Sequence, residues 1–340
     1  MLLTAVAAAL VAAAVLVGIW VAGGPGAGPP GSPEGGPAAA TLPPSPVTAR
    51  IAVPGRPRQL VVDGKELWVV TERRLHRIDT STNRVVAGVA VGGPTVEPGG
   101  LALTSAAVWV PGQRSELLWR VDRATNRVSG RVRLGLVLYG PVGMAVRGDT
   151  LWVSCCALRE GPRPQGQLLR VDTRRRRVTG RIPVPDGPLA VVADRQAVWV
   201  GTARGSLLRI DPAAGRVVAR VPPPDPHSRI QALSPGPGGV LWVADTGAGV
   251  VRRFDRRAGR FELGVPAPAP RNLAAVPDGA WVVTDLNQLL SRVDGRSGRR
   301  SAPIPLPYVG GVRGVATGPD AVWVTTGDQV VRIDPTRSPH

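Results

Sequence analysis

Three histidines, two cysteines and a scatter of unrepeated polar side chains are the residues of this 340-residue chain that could carry acid–base, metal or redox chemistry. His76, His227 and His340 are its only imidazoles. Asp225 and His227 share the proline-rich stretch Pro222 to Arg229, a pairing capable of general acid–base work. Cys155 and Cys156 are adjacent. In an oxidising compartment they could close a vicinal disulfide, strained because neighbouring Cα atoms lie about 3.8 Å apart, closer than the usual disulfide range. Two ordinary thiols, one pointing into the fold, are the alternative. Without CxxC spacing or a nearby histidine they do not suggest a metal site. No glycine-rich phosphate loop, EF-hand spacing or nucleophile elbow is present. No catalytic residue, cofactor or metal is therefore expected.

Charge is the other chemical resource. The net charge is +18, almost all of it arginine, since Lys65 is the only lysine, and the excess is spread along the chain. Attraction to an anionic partner is one explanation. A coding bias that also enriches Ala, Gly and Pro is the other, and nucleic acid is not the expected partner.

The elements that must position these residues follow from an internal repeat. A tryptophan recurs at 68, 109, 152, 199, 242, 281 and 323, with gaps of 41, 43, 47, 43, 39 and 42 residues, and Val follows each. An Arg-x-Asp comes next every time, from Arg77/Asp79 to Arg332/Asp334, and in six copies another Arg stands five residues past the Asp. Punctuation by Gly, Pro and Asp divides the unit into four short strands, in blade three Val142 to Val146, Thr150 to Ser154, Leu168 to Asp172 and Val178 to Val184. Seven repeats of four strands predict an all-β, seven-bladed β-propeller over residues 48–337. The tryptophan strand has no polar alternation, as expected where both faces press on neighbouring blades, so the tryptophan is an inter-blade wedge. The Asp opens a turn in which its carboxylate accepts backbone N–H bonds. His76 falls in a strand position filled elsewhere by Trp119, Leu169, Leu208, Arg252, Ser291 and Val331, so it is expected to be a structural histidine, packed or half-exposed. Thr48 to Val53 reads as an outer strand ahead of the first blade, while the seventh unit ends without one. The first is expected to complete the last and close the ring.

Before the propeller, Leu2 to Val21 is uncharged and apolar and at about 1.5 Å per residue would span a bilayer. Residues 1–22 are expected to be a transmembrane or signal-anchor helix, with a cleaved signal as the alternative. Residues 23–47 are a Pro/Gly-rich linker. The propeller would then sit outside the cytoplasm, anchored to the membrane, or be secreted.

Segments such as Pro141-Val-Gly-Met-Ala-Val with Leu151-Trp-Val, and Gly239-Val-Leu-Trp-Val-Ala-Asp-Thr-Gly, resemble repeats of the YVTN, NHL and virginiamycin B lyase-like propellers over residues 48 to 334. That resemblance implies the fold and, for the lyases, a catalytic histidine and a metal near the channel. None of the three histidines matches that segment.

In a ring of equivalent blades, what occurs seven times is architecture, and a site should appear where the symmetry breaks. The face carrying the b–c and d–a loops is the more variable, with the long loop Ser154 to Gln167 and the stretch around Asp225 its main deviations. The ligand-binding candidates on that face and at the channel mouth are Arg58, Glu97, Tyr139, Cys155, Cys156, Arg159, Asp225, His227, Arg229, Arg271, Asp285, Asn287, Tyr308 and Arg313. The expected role is binding or scaffolding of a protein, peptide or anionic cell-envelope polymer. The alternative is a lyase or lactonase with a site in the channel.

Overall fold

In the computed structural model the described residues are 45–337, apart from 93–99, 113–115, 136–140, 159–164, 287, 307–310 and 312. The expected N-terminal helix, nearly all of the linker, and His340 lie outside them. Among the described residues no helix is long and apolar enough to cross a membrane.

The described strands form seven four-stranded antiparallel sheets. Each innermost strand, a, lies toward the axis: Gln59–Asp63, Ala102–Leu103, Pro141–Arg147, Pro188–Ala193, Ile230–Pro235, Pro270–Val276 and Val315–Thr317 in blades one to seven. Strand b carries the tryptophan, strand c the Arg-x-Asp, and strand d is outermost. In blade seven the outermost strand is Val47–Ala52, antiparallel to Gln329–Ile333, with Ile51 opposite Val330.

Seven tryptophans explain why these sheets stack side by side. All are at most 4% exposed, and each lies in an apolar cluster shared between its own blade and the next. Trp109 packs with Leu151, Val153 and Val171 of blade three. Trp323 packs with Leu67, Val69 and Ile78 of blade one, in a cluster that includes Ile51 and Val53 from the outer strand. The tryptophan is thus the inter-blade wedge its unalternating strand implied. Directly across the b–c ladder from every tryptophan stands the arginine of Arg-x-Asp, from Trp68↔Arg77 to Trp323↔Arg332. In blades one and seven the guanidinium lies over the ring at 5.6 and 5.7 Å.

The aspartate does what the turn chemistry requires. Asp172 Oδ1 accepts the backbone N–H groups of Arg174 and Arg175 at 2.9 and 2.7 Å, and Asp255 those of Arg257 and Ala258 at 2.7 and 3.0 Å. In all seven blades hydrogen bonds to the turn, above all, hold this carboxyl below the ordinary aspartate range. The position before strand d takes the left-handed conformation, by glycine in blades four to six but by Arg176, at φ 55°, in blade three.

The inner strands are laced by hydroxyls. Thr325 Oγ1 donates to the Arg58 carbonyl at 2.8 Å and accepts the Gly314 N–H at 2.8 Å, joining blade seven to blade one. Ser154 does the same between the Gly143 N–H and the Leu189 carbonyl, both at 2.8 Å, joining blades three and four. Gly143 is required there, because a β-carbon would lie 2.5 Å from the Leu189 oxygen.

Blade three departs from the sequence expectation. Strands b and c run on as Thr150–Leu158 and Gln165–Asp172, a ladder that continues through Cys155↔Gln167 and Leu158↔Gln165. Ser154 and Cys155 are therefore fully buried strand residues rather than the opening of a loop.

Two outcomes test this account. A carboxyl with a depressed folded-state pKa contributes stability that is present above its unfolded value, about 3.9, and is lost as pH falls through the folded one. The urea midpoint should therefore drop below about pH 4, and D211N/D255N should flatten that acid limb; an unchanged slope would count against the turns as its source. Thr325→Val leaves the buried Gly314 N–H without its acceptor and should cost about 1–3 kcal/mol in urea unfolding.

Candidate functional site

The strand-a residues opposite the seven tryptophans set a common frame for the channel: Val61, Ala102, Ala145, Val192, Ser234, Ala274 and Ala316. Three residues earlier, at or just ahead of the start of strand a, stand Arg58, Val142, Leu189, Gln231, Arg271 and Arg313 in blades one and three to seven. In blades three to six this residue is the extra one of a β-bulge, which frees its side chain from the ladder. Symmetry breaks here. Blades six, seven and one, consecutive in the ring, each place an arginine at the mouth, while blades three and four place aliphatic groups.

Beneath the arginines lies an amide cluster. Asn272 Nδ2 donates to Gln59 Oε1 at 3.2 Å and to the Arg313 carbonyl at 3.4 Å, so side chains of blades six and one meet at the backbone of blade seven. The channel at this level is a cavity of about 200 Å³ lined by strand a of every blade, with Leu101, Val142 and Leu189 facing the Gln59, Arg271 and Asn272 side.

Two carboxylates partly balance the three arginines. Arg58 meets Glu72 at 3.2 Å and Arg271 meets Asp285 at 3.6 Å, and both carboxylates are more than a third exposed. A β-carbon on Gly311 would lie 3.7 Å from both Arg313 Nε and Asp285 Oδ1, which places Arg313 at the same rim. The Nε atoms of Arg58 and Arg313 are buried and have no hydrogen-bond partner. Arg56, also paired with Glu72 at 3.9 Å, is largely exposed. Beside Asp285 stands Leu286, 71% exposed, an apolar contact at the edge of the charged patch.

The remaining candidates sort differently. Arg229 was expected beside the three arginines, but the ladder of blade five puts Ser234 opposite Trp242, so Gln231 occupies the equivalent position. Arg229 lies two residues further out, exposed, with Nε 3.5 Å from Gln231 Oε1. Asp225 accepts the backbone N–H of His227 at 2.8 Å, a local turn, and His227 is exposed. Cys155 is buried between blades two and three, away from the face. Glu97, Tyr139, Arg159, Asn287 and Tyr308 lie outside the described residues, as does the side chain of Cys156 and with it the cysteine pairing.

Sequence reading missed four participants: Gln59, Asn272, Glu72 and Asp245. The first two break the column of small residues two before each tryptophan's partner, a signal open to inspection. Glu72 and Asp245 carry no such signal. Asp245, 1% exposed, accepts Ser228 Oγ at 2.7 Å, the Arg229 N–H at 2.9 Å and Arg252 Nε at 3.1 Å, tying the Pro222–Arg229 stretch to blade five. His76 is buried in strand c, and burial first, then the Arg74 charge, lowers its pKa.

The metal that the lyase resemblance implies needs carboxylate or imidazole ligands that offset its charge, held clear of competing guanidinium groups. The described side chains there are amides, guanidinium groups and aliphatics, and among the described residues no three His, Cys, Asp or Glu converge as metal ligands. They do not fit it.

No protein-family model matches the chain, and no curated protein matches it. Among solved structures, a streptogramin B lyase superposes with a TM-score of 0.72 at 15% identity, covering 84% of this chain and 96% of its own. The selenomethionine-substituted virginiamycin B lyase from Staphylococcus aureus also superposes at 0.72, with 14% identity, covering 84% and 98%. What this chain shares with these lyases is the seven-bladed β-propeller fold.

Proposed function

We propose that the propeller is a binding module that takes an anionic ligand, a cell-envelope polymer or an acidic protein segment, at the channel mouth of blades six, seven and one. The observation that carries the reading is the arginine crescent of Arg271, Arg313 and Arg58. Three guanidinium groups on consecutive blades face two partly exposed carboxylates. An anion with several oxygens suits such donors, because charge-assisted and bidentate bonds to arginine are the strong ones. The exposed Leu286 and the aliphatic side of the channel add an apolar surface for the rest of the ligand. The module is held outside the cytoplasm by Leu2 to Val21 through the linker, with strand Val47–Ala52 closing the ring just beyond the tether.

Titrating the full chain in detergent with polyphosphate, as a defined polyanion, tests the site. Affinity should fall as NaCl rises from low to high concentration, through screening. R58A/R271A/R313A should weaken it about tenfold or more. Salt-independent binding, or a triple variant that binds like the parent, would refute the crescent as the site. The location is tested separately: protease added to intact spheroplasts should remove a tag at the C-terminus, and a protected tag would refute the extracytoplasmic placement.

A further inference from the structure

On the opposite face, where the a–b and c–d turns lie, the strand-c arginines do not all meet the same surroundings. In three blades a carboxylate from the blade's own a–b hairpin neutralises the arginine: Glu66 with Arg77 at 2.7 Å, Asp278 with Arg292, and Asp320 with Arg332 at 2.7 Å. Blade one shows the full arrangement. There the Glu66 carboxylate also accepts the indole N–H of Trp68 at 2.9 Å and Arg123 Nε, from the next blade, at 3.0 Å.

Blade two has the same tryptophan and arginine without the carboxylate. Ala107, opposite Asp122, replaces Glu66, which is opposite Asp79, and Ala106 stands where blades six and seven have Asp278 and Asp320. Among the described residues the carboxylate nearest Arg120 is Asp122, at 3.8 Å, which already accepts two turn N–H groups, while Arg120 also donates to Ser129 Oγ. The Trp109 indole Nε1 is buried and has no hydrogen-bond partner.

A cavity of about 730 Å³ opens at this point between blades two and three, lined by Trp109, Arg120, Thr173, Arg174 and Arg176 among others. Arg174 is mostly exposed and meets only a similarly exposed Asp149, at 3.5 Å, a pairing worth little in water. Arg176 reaches the Ser129 carbonyl of blade two at 3.4 Å from a left-handed backbone position that three other blades give to glycine. The groove therefore combines an unmet indole donor, three guanidinium groups and space for a small molecule.

We propose that this groove binds a small organic carboxylate, which takes the place that Glu66 holds in blade one. One carboxylate oxygen accepts Trp109 Nε1–H, the other meets Arg120, and Arg174 and Arg176 supply the remaining positive field. This site is independent of the channel mouth, being on the other face and built from other blades.

Glutarate titrated into the full chain, with tryptophan labelled by 15N, is the test. The Trp109 indole resonance, assigned by its loss in W109F, should move downfield and saturate. Ala106→Asp, at an exposed position, copies the carboxylate of blades six and seven. It should move the same resonance without ligand and weaken glutarate about tenfold or more, with the thermal midpoint held or raised. R120Q should weaken binding comparably, and R271A/R313A should leave it unchanged. The proposal fails if A106D binds glutarate like the parent. It also fails if sulfate moves the Trp109 resonance as far as glutarate does, which would reduce the groove to a site of general anion attraction.

Discussion

Every apolar cluster of this fold is shared between two blades, and that sharing is the constraint from which the rest follows. A single sheet with Trp152 on one face and Leu169 and Val171 on the other has no core of its own; it acquires one only when blades two and four stand against it. In an open array of repeats the terminal units would leave such faces bare. Here the cluster of Trp323 includes residues of the first blade and of strand Val47–Ala52, so the last interface is built like the others. Because the tryptophans fill the spaces between sheets, the inner strands come close enough for Ser154 and Thr325 to bridge neighbouring backbones.

Once the sheets are fixed by apolar packing, charge decides how their edges differ. With 42 basic side chains against 24 acidic ones, a carboxylate is the scarce partner. Seven aspartates are committed to the c–d turns, where backbone N–H groups hold their charge. The others determine which arginines are neutralised and which keep an unbalanced charge. Glu66, Asp278 and Asp320 silence three of the strand-c arginines, while Arg123, gripped by Asp63 and Glu66, has its pKa raised by those bonds against the effect of burial. Positive potential survives where such carboxylates are missing or outnumbered, at the mouth of blades six, seven and one and in the groove between blades two and three.

The parts of this arrangement legible in the sequence are those enforced in every blade. Trp, Arg and Asp recur because the wedge, its cross-strand partner and the turn acceptor are needed seven times, and repetition exposes them without any structural knowledge. The site was legible only in part. Arg58, Arg271 and Arg313 each stand ten residues before their tryptophan, whereas Arg229 stands thirteen before Trp242, a difference in spacing that excludes it from the set. The extension of strands b and c in blade three was hidden because Cys155, Leu158 and Gln165 carry no alternation that separates strand from loop. Glu72 and Asp245 matter through partners in another strand, a relation that spacing along the chain does not encode.

The extended hairpin of blade three has a consequence beyond its own register. A ring of seven near-identical units offers a docking partner seven nearly equivalent rotations. The hairpin stands about half a turn around the ring from the arginine crescent, so the two together draw a diameter across one face and give it a heading. A ligand long enough to touch both ends would find only one of the seven orientations correct, and the fold would act as a compass instead of a wheel.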